Sequence, residues 1–299
     1  MSASLRQLQI FQAVARALSY TRAAEALHLT QPAVFAQVRT LEDQLGQPLI
    51  ERIGKRLFLT AAGEVVQASA REVLGEIERM QMRLAELQGL ARGRLRLAVI
   101  STAKYDAPAR LGEFCRRHPG IDVDMKVGNR RELLERFAAN EDDLYILGTP
   151  PEEVEAEHFA FAENPLVLVA PPDHPLAGRQ RLVPADLGAA LFVMRERGSG
   201  TRMAAERFFA THDLTPTVRM ELGANEAIKQ AVIAGLGIAV LSRSTALLEL
   251  AQGHLVELDV TGFPLRRHWH VTWPRGKRLS IAARSFLDQL RETAADGGG

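Results

Sequence analysis

Apolar positions in the first ninety residues repeat at helical spacing, whereas beyond Leu95 they gather in short runs of strand length. Leu5, Leu8, Phe11, Val14, Ala15 and Leu18 predict a first amphipathic helix. A short helix from Thr21 to Leu27 follows, with Ala23, Ala24 and Ala26 small enough to let two backbones cross closely. Val34, Val38, Leu41 and Leu45 share the inner face of a third helix, which opens at the capping residue Thr30, carries Pro32 near its start and ends near Gly46. Leu49 to Thr60 alternates loosely around Gly54, Lys55 and Arg56, a pattern for two short strands with a basic turn.

After Thr60 the chain runs about 30 residues without proline, long enough for a helix of about 45 Å. Val66, Ala70, Val73, Ile77, Met80, Leu84 and Leu87 alternate spacings of four and three on it, the stripe along which two chains would pair. A single helix lying on its own domain is the other reading. Gly89, Gly93 and the Arg92-Gly93-Arg94 run mark a hinge.

From Leu95 the runs LRLAVIS, IDVDMKV and DLYILG alternate with helical segments through Leu111 and Leu133, and LVLVA begins a second set with ALFVM, TVRMEL and GIAVLS. HWHVTW and a helix from Ser280 to Thr293 return the chain. The fold class is therefore α/β: two similar halves, each with a largely parallel sheet, and a cleft between them. Ligands in such folds sit beyond strand ends, so the lining is read as Ser101, Thr102, Lys104, Gly128, Asn129, Arg130, Gly148, Thr149, Arg195, Gly198, Ser199, Gly200, Thr201, Arg202 and Asn225. Hydroxyls and cations dominate, and GSGTR opening a helix offers amides to an anion such as phosphate or carboxylate. GSG alone fits a flexible loop equally.

The 299 residues carry a net charge of +1, but residues 1–60 hold seven Lys or Arg against four acids, so the positive excess sits with the first helices. That suits phosphate contacts, with dimerisation needed to build affinity. No apolar run is long enough to span a bilayer and the start lacks a signal peptide's apolar region, so a cytoplasmic protein without membrane contact is expected. The single cysteine, Cys115, reads as a buried small apolar residue, with a redox thiol as the sharper alternative. HExxH, GxSxG and GxxxxGK[ST] are all absent, which argues against an enzyme. His268 and His270 alternate on one strand and can face one side as metal ligands, but Trp269 and Trp273 point to packing, and no metal is assigned.

SYTRAAEALHLTQPAV, LEDQLG and LIERIGKRLFLTAAG resemble the amino-terminal domain of the LysR-type transcriptional regulators, and the resemblance extends over the whole chain. It implies a winged helix-turn-helix over residues 1–60, a linker and dimerisation helix over 61–90, and a two-subdomain effector domain similar to periplasmic binding proteins over 91–299. Double-stranded DNA would then meet Arg22, Thr30, Gln31, Pro32, Ala33, Phe35, Ala36 and Arg39 on the helix pair and Arg52, Lys55 and Arg56 on the wing. Val66, Val73, Ile77, Met80, Leu84 and Leu87 would join the dimer, with a dimer of dimers and RNA polymerase as further partners. STAKY, FCRRHPGIDV, VGNR, NPLVLVAPPDHPLAG and FVMRERGSGTR are most similar to the CbbR group, which controls carbon dioxide fixation operons. This implies a small-molecule effector, with ribulose bisphosphate, phosphoenolpyruvate or NADPH as the choices, and no cofactor. A carboxylate-sensing regulator of another operon, or a ligand-binding protein whose first helices serve interaction alone, is the alternative. Two positions depart from the family: Ile50, read as a core exchange for Phe, and Phe35 in place of the usual Ser. Phe35 admits three readings: contact with a thymine methyl, packing, or weakened operator binding.

Overall fold

The computed structural model of the chain describes residues 3–87, 93–151 and 154–296. These form two compact units, Met1–Leu90 and Ala91–Gly299.

In the first unit, α1 (Leu5–Ala17) begins with a capping box between Ser4 and Gln7. It buries Gln7, Ile10, Phe11, Val14 and Ala15. Leu5 and Leu18 are exposed, contrary to the periodicity reading, because Leu18 lies beyond the last helical turn in the left-handed region and Ile10 takes the inward position. α2 (Tyr20–Leu27) is capped by Ser19 and buries Ala23 and Ala24, while Ala26 stays outside. α3 (Gln31–Leu45) has Thr30 Oγ1 accepting from the Ala33 amide and ends at Gly46 with φ +68°. Val34, Val38 and Leu41 are fully enclosed against α1, α2 and Leu49.

The wing is the hairpin β1 (Ile50–Ile53) and β2 (Arg56–Leu59), paired Ile53 to Arg56 around a two-residue turn. Gly54 has φ +64° at the first central position, where a side chain would be strained. A buried carboxylate ties this wing to α3: Glu42 Oε1 accepts from the Leu49 amide at 2.8 Å and the Ile50 amide at 3.1 Å. Ile50 packs on the core, as its sequence position suggested.

α4 (Ala61–Leu87) is capped by Thr60 Oγ1, which accepts from the Gly63 amide. A Cβ at Gly63 would lie 2.0 Å from the Leu49 carbonyl oxygen, so only glycine lets α4 pass this close to the wing. The pairing stripe begins later than its spacing suggested. Ala70 is buried and Val66 packs on the same core as α1 and α3, so these two serve their own unit and Val66 is withdrawn from the dimer face. Val73 and Met80, one heptad apart, are exposed and Ile77 is half-buried. The side chains of Leu84 and Leu87, with Gly89 and Arg92 of the hinge, lie outside the described residues.

The second unit has two subdomains. The first is built on a sheet in the order β4-β3-β5-β12-β6. Its elements are β3 (Gly93–Ile100), α5 (Ala107–Arg117), β4 (Ile121–Gly128), α6 (Arg130–Ala138), β5 (Leu144–Leu147) and β6 (Ala156–Glu163). The second subdomain contains β7 (Leu166–Ala170), β8 (Leu191–Arg195), α7 (Gly200–Thr211), β9 (Thr217–Leu222), α8 (Asn225–Ile233), β10 (Ala239–Ser242), α9 (Leu247–Ala251) and β11 (Val256–Glu257). β12 (His268–Pro274) and α10 (Ile281–Asp296) then return the chain to the first.

The sheets are mixed, not largely parallel. β3 runs parallel to β4 and β5, and β8 to β9, but β12 is antiparallel to β5 and β6, and β7 to β10 and β11. Two passages between the subdomains reverse the chain, and the strands beside them enter from the opposite direction. β6 escaped the sequence reading because AEHFAFAE buries only Phe161 and is mostly alanine and glutamate, residues with little strand preference. Cys115 is exposed, against expectation: α5 buries Ala107, Leu111 and Phe114, and the next residue turns about 100° away.

Replacing Glu42 by Ala removes the acceptor for two amides, a loss of about 1–3 kcal/mol from the first unit. Amide hydrogen exchange should accelerate at Leu49 and Ile50 before it does along α1; unchanged protection there would show that the wing holds without the carboxylate.

Candidate functional site

Two separate surfaces carry the chemistry. On the first unit, Arg22, Thr30, Gln31, Pro32, Ala33, Phe35, Ala36 and Arg39 are all exposed, as are Arg52, Lys55 and Arg56 on the wing. Thr30 is engaged as the cap of α3, so its hydroxyl is committed. Gln31, Phe35 and Arg39, four residues apart, form one stripe along α3. Arg39 Nη1 lies 3.3 Å from Glu42 Oε2, and its guanidinium carbon is 5.6 Å from the Phe35 ring centre. Arg52 Nε donates to the Gly54 carbonyl at 3.0 Å, which steadies the basic turn.

The second unit holds a cavity of about 790 Å³. β12 and the residues before it bring Leu265, Arg266, Arg267, His268 and His270; α7 brings Gly200, Met203, Arg207, Phe208, Thr211 and His212; the end of β5 and the start of α6 bring Gly148, Thr149 and Arg130. Four arginines therefore line it, and among the described residues no carboxylate does. Arg267 is the centre. It stands where the chain re-enters the first subdomain, half-buried, and donates from Nη2 to Thr149 Oγ1 at 2.9 Å and from Nη1 to the Gly200 carbonyl at 3.1 Å. It thus touches both subdomains. Burial, with Arg130 and Arg207 nearby, pulls its pKa down to about 10, so it remains charged at neutral pH at a cost. Space for the guanidinium comes from Gly148, where a Cβ would lie 2.6 Å from Nη2.

A second cluster is internally paired. Arg195 donates to Glu196 at 2.7 and 2.8 Å, to Asn225 Oδ1 at 2.6 Å and to Ser101 Oγ at 3.4 Å. Lys104 Nζ lies 2.6 Å from Glu226, and the Tyr105 hydroxyl donates to the same carboxylate at 2.6 Å. These two donors hold the Glu226 carboxyl down at about 2.

Comparison with known proteins decides what these surfaces belong to. Residues 5–64 match the model for the bacterial regulatory helix-turn-helix protein of the lysR family, and residues 88–295 match the LysR substrate binding domain. This chain is a LysR-family transcriptional regulator. It is 51% identical to a RuBisCO operon transcriptional regulator of Acidithiobacillus ferrooxidans over 295 residues, 99% of this chain and 96% of that one. Among solved structures it is similar to the CcmR regulatory domain of Synechocystis PCC6803 in complex with 2-PG, at 48% identity and TM-score 0.66, covering 69% of this chain and 99% of that one. Full-length CbnR complexed with target DNA shares the fold at 24% identity and TM-score 0.69, covering 97% of this chain and 99% of that one. LysR-family membership makes the chain a DNA-binding regulator and not an enzyme.

Within this LysR-family effector domain, Arg130, Gly148, Thr149 and Gly200 of the expected lining converge on the cavity. The other expected residues do not line it. Arg202 lies outside this cavity. It pairs with Glu206 and Glu221 and donates to the Arg195 carbonyl, so its charge is already neutralised. Arg195 and Lys104 are likewise matched by Glu196 and Glu226. Asn129 closes a capping box with Glu132, and Gly128 makes room for that carboxylate and Leu133. Thr102, Ser199 and Thr201 are buried, and Gly198 supplies a positive-φ turn before α7.

Arg207, Arg266 and Arg267 were missed. The one available signal was the Arg266-Arg267 pair just before the return strand, at the passage between halves. His268 and His270 do share the cavity side, with His158 5.5 Å from His270. Among the described residues no group of three His, Cys, Asp or Glu could hold a metal ion, and no helix is long and apolar enough to cross a membrane.

Arg267→Gln should melt no lower than the wild type without ligand, because a half-buried charge that has no carboxylate partner among the described residues is lost. The rise in Tm on adding 2-phosphoglycolate should fall to less than about a third of the wild-type rise; an undiminished rise would remove Arg267 from the site. His270 gives a pH dependence. Burial, then the neighbouring His158 ring, hold its pKa below the usual 6.5, so the neutral form belongs to the folded state. Stability is therefore full above that value and lost as pH falls through the histidine range. An anion in the cavity favours the protonated ring, so sulfate, whose charge is constant here, should bind several-fold tighter at about pH 6 than at about pH 8 by titration calorimetry. Equal affinities would exclude the histidines from the binding equilibrium.

Proposed function

We propose that this regulator controls carbon dioxide fixation genes in response to a phosphorylated metabolite held by Arg130, Arg207 and Arg267. The observation that carries the reading is the Arg267 guanidinium: half-buried, charged, facing a cavity of arginines and histidines, and without a carboxylate partner among the described residues. A buried cation in that state is costly until an anion arrives. Phosphate suits it best, since a planar guanidinium binds it through two parallel hydrogen bonds. The relatives support the operon: they include RuBisCO operon regulators and, at 44% identity, the CbbR of Rhodospirillum rubrum. CcmR supports the ligand class, because its regulatory domain was solved with 2-PG. Ribulose bisphosphate, phosphoenolpyruvate and NADPH share the same chemistry.

The proposed mechanism is a population shift. Arg267 already bridges Thr149 in one subdomain and Gly200 in the other, so an anion bound there favours the closed pairing over an open one. Chains paired along the exposed Val73 and Met80 stripe present two readers to two half-sites, and closure changes their spacing. Coupling is reciprocal: effector changes DNA affinity by the factor by which DNA changes effector affinity. A dimer of dimers that contacts RNA polymerase completes the reading.

Fluorescence anisotropy of the full chain on labelled DNA from upstream of a carbon fixation operon tests it. Binding should exceed that to unrelated DNA, fall steeply with salt, and shift at least about threefold with 2-phosphoglycolate or ribulose bisphosphate but not with glycolate. Specific binding that ignores every phosphorylated ligand, or responds equally to glycolate, would overturn the effector assignment.

A further inference from the structure

Phe35 is an exposed aromatic ring on the helix that carries the reading surface. It is 43% exposed, and it stands outside the buried cluster of the first unit and the residues packed on it, so the core does not require it. Its neighbours nonetheless fix it. Tyr20, which does pack on the core, meets the ring edge-on with centres 5.2 Å apart. The Arg39 guanidinium carbon lies over the same ring, 5.6 Å from its centre, and Arg39 is itself held by Glu42 at 3.3 Å. An apolar ring held by two neighbours loses little entropy when something docks on it, the condition for a recognition element.

Its place in the stripe sets what it can recognise. Gln31, Phe35 and Arg39 succeed one another at one-turn spacing, an amide, a ring and a guanidinium. The amide and guanidinium can hydrogen-bond base edges. Between them the ring can neither donate nor accept, and the major groove offers one apolar feature among unmodified bases, the C5-methyl of thymine. A polar base edge opposite the ring would lose its water and gain nothing.

We propose that Phe35 is a specificity-determining residue that selects thymine in each half-site through its methyl group, with Tyr20 and Arg39 as positioning residues. This rests on the DNA-reading assignment of the first unit and goes beyond it by giving one side chain one base.

The test uses the full chain and a duplex that the same chain has selected from a random pool. Each thymine is replaced singly by deoxyuridine, which removes only the methyl, and affinity is read by fluorescence anisotropy. For the wild type, one thymine per half-site should show about a three- to fivefold loss, the worth of one buried methyl. Phe35→Ala should bind the unmodified duplex more weakly and show no loss at that thymine; Phe35→Leu should retain part of it. Because Phe35 is outside the core, both variants should keep the wild-type melting profile and salt slope. Uracil substitutions that cost wild type and Phe35→Ala equally at every position would overturn the proposal while leaving specific DNA binding in place. Failure of the wild type to enrich any duplex over the random pool would instead overturn the DNA-reading assignment.

Discussion

A positive charge is kept without a carboxylate partner among the described residues where the effector domain crosses between its halves, and the cavity is arranged around it. Arg267 reaches Thr149 on one side and Gly200 on the other, with Gly148 leaving the space its guanidinium needs. Two neutral oxygens offset only part of the cost of desolvating a cation. The remainder is available to a ligand, which converts an unfavourable feature of the empty domain into affinity. Neighbouring arginines raise that cost further, which under the proposed reading favours an anion of more than one charge.

The other cations nearby are treated in the opposite way. Arg202 meets two glutamates, Arg195 meets Glu196 and Asn225, and Lys104 meets Glu226. Lys104 and Glu226 join the two halves, whereas the Arg195 and Arg202 pairs lie within the second, their charges already matched. Only the balance of partners separates a structural arginine from a binding one, since the residue type is the same.

The reading unit follows a similar economy with a buried acid. Glu42 accepts from two wing amides and holds Arg39, so one carboxylate aligns the hairpin, the reading helix and the guanidinium stacked on Phe35. Its conformation reaches from the buried core to the outer face through only two side chains.

Local pattern determined much of this protein. Helical periods, the Thr30 cap, Gly46 and the Gly54 turn were legible because each depends on neighbours within a few residues. The reader face was legible for the same reason: a helix whose inner stripe is known has a known outer stripe. Family likeness carried the domain order over the whole chain. Tertiary structure alone decided which arginines are spoken for, because Arg202 and Glu221, or Arg267 and Thr149, are far apart in sequence and paired in space. It also decided that Val66 packs on its own core, that Cys115 faces outward and that the sheets are mixed. Those outcomes turn on which elements meet and in what direction, and a periodicity of apolar residues contains neither.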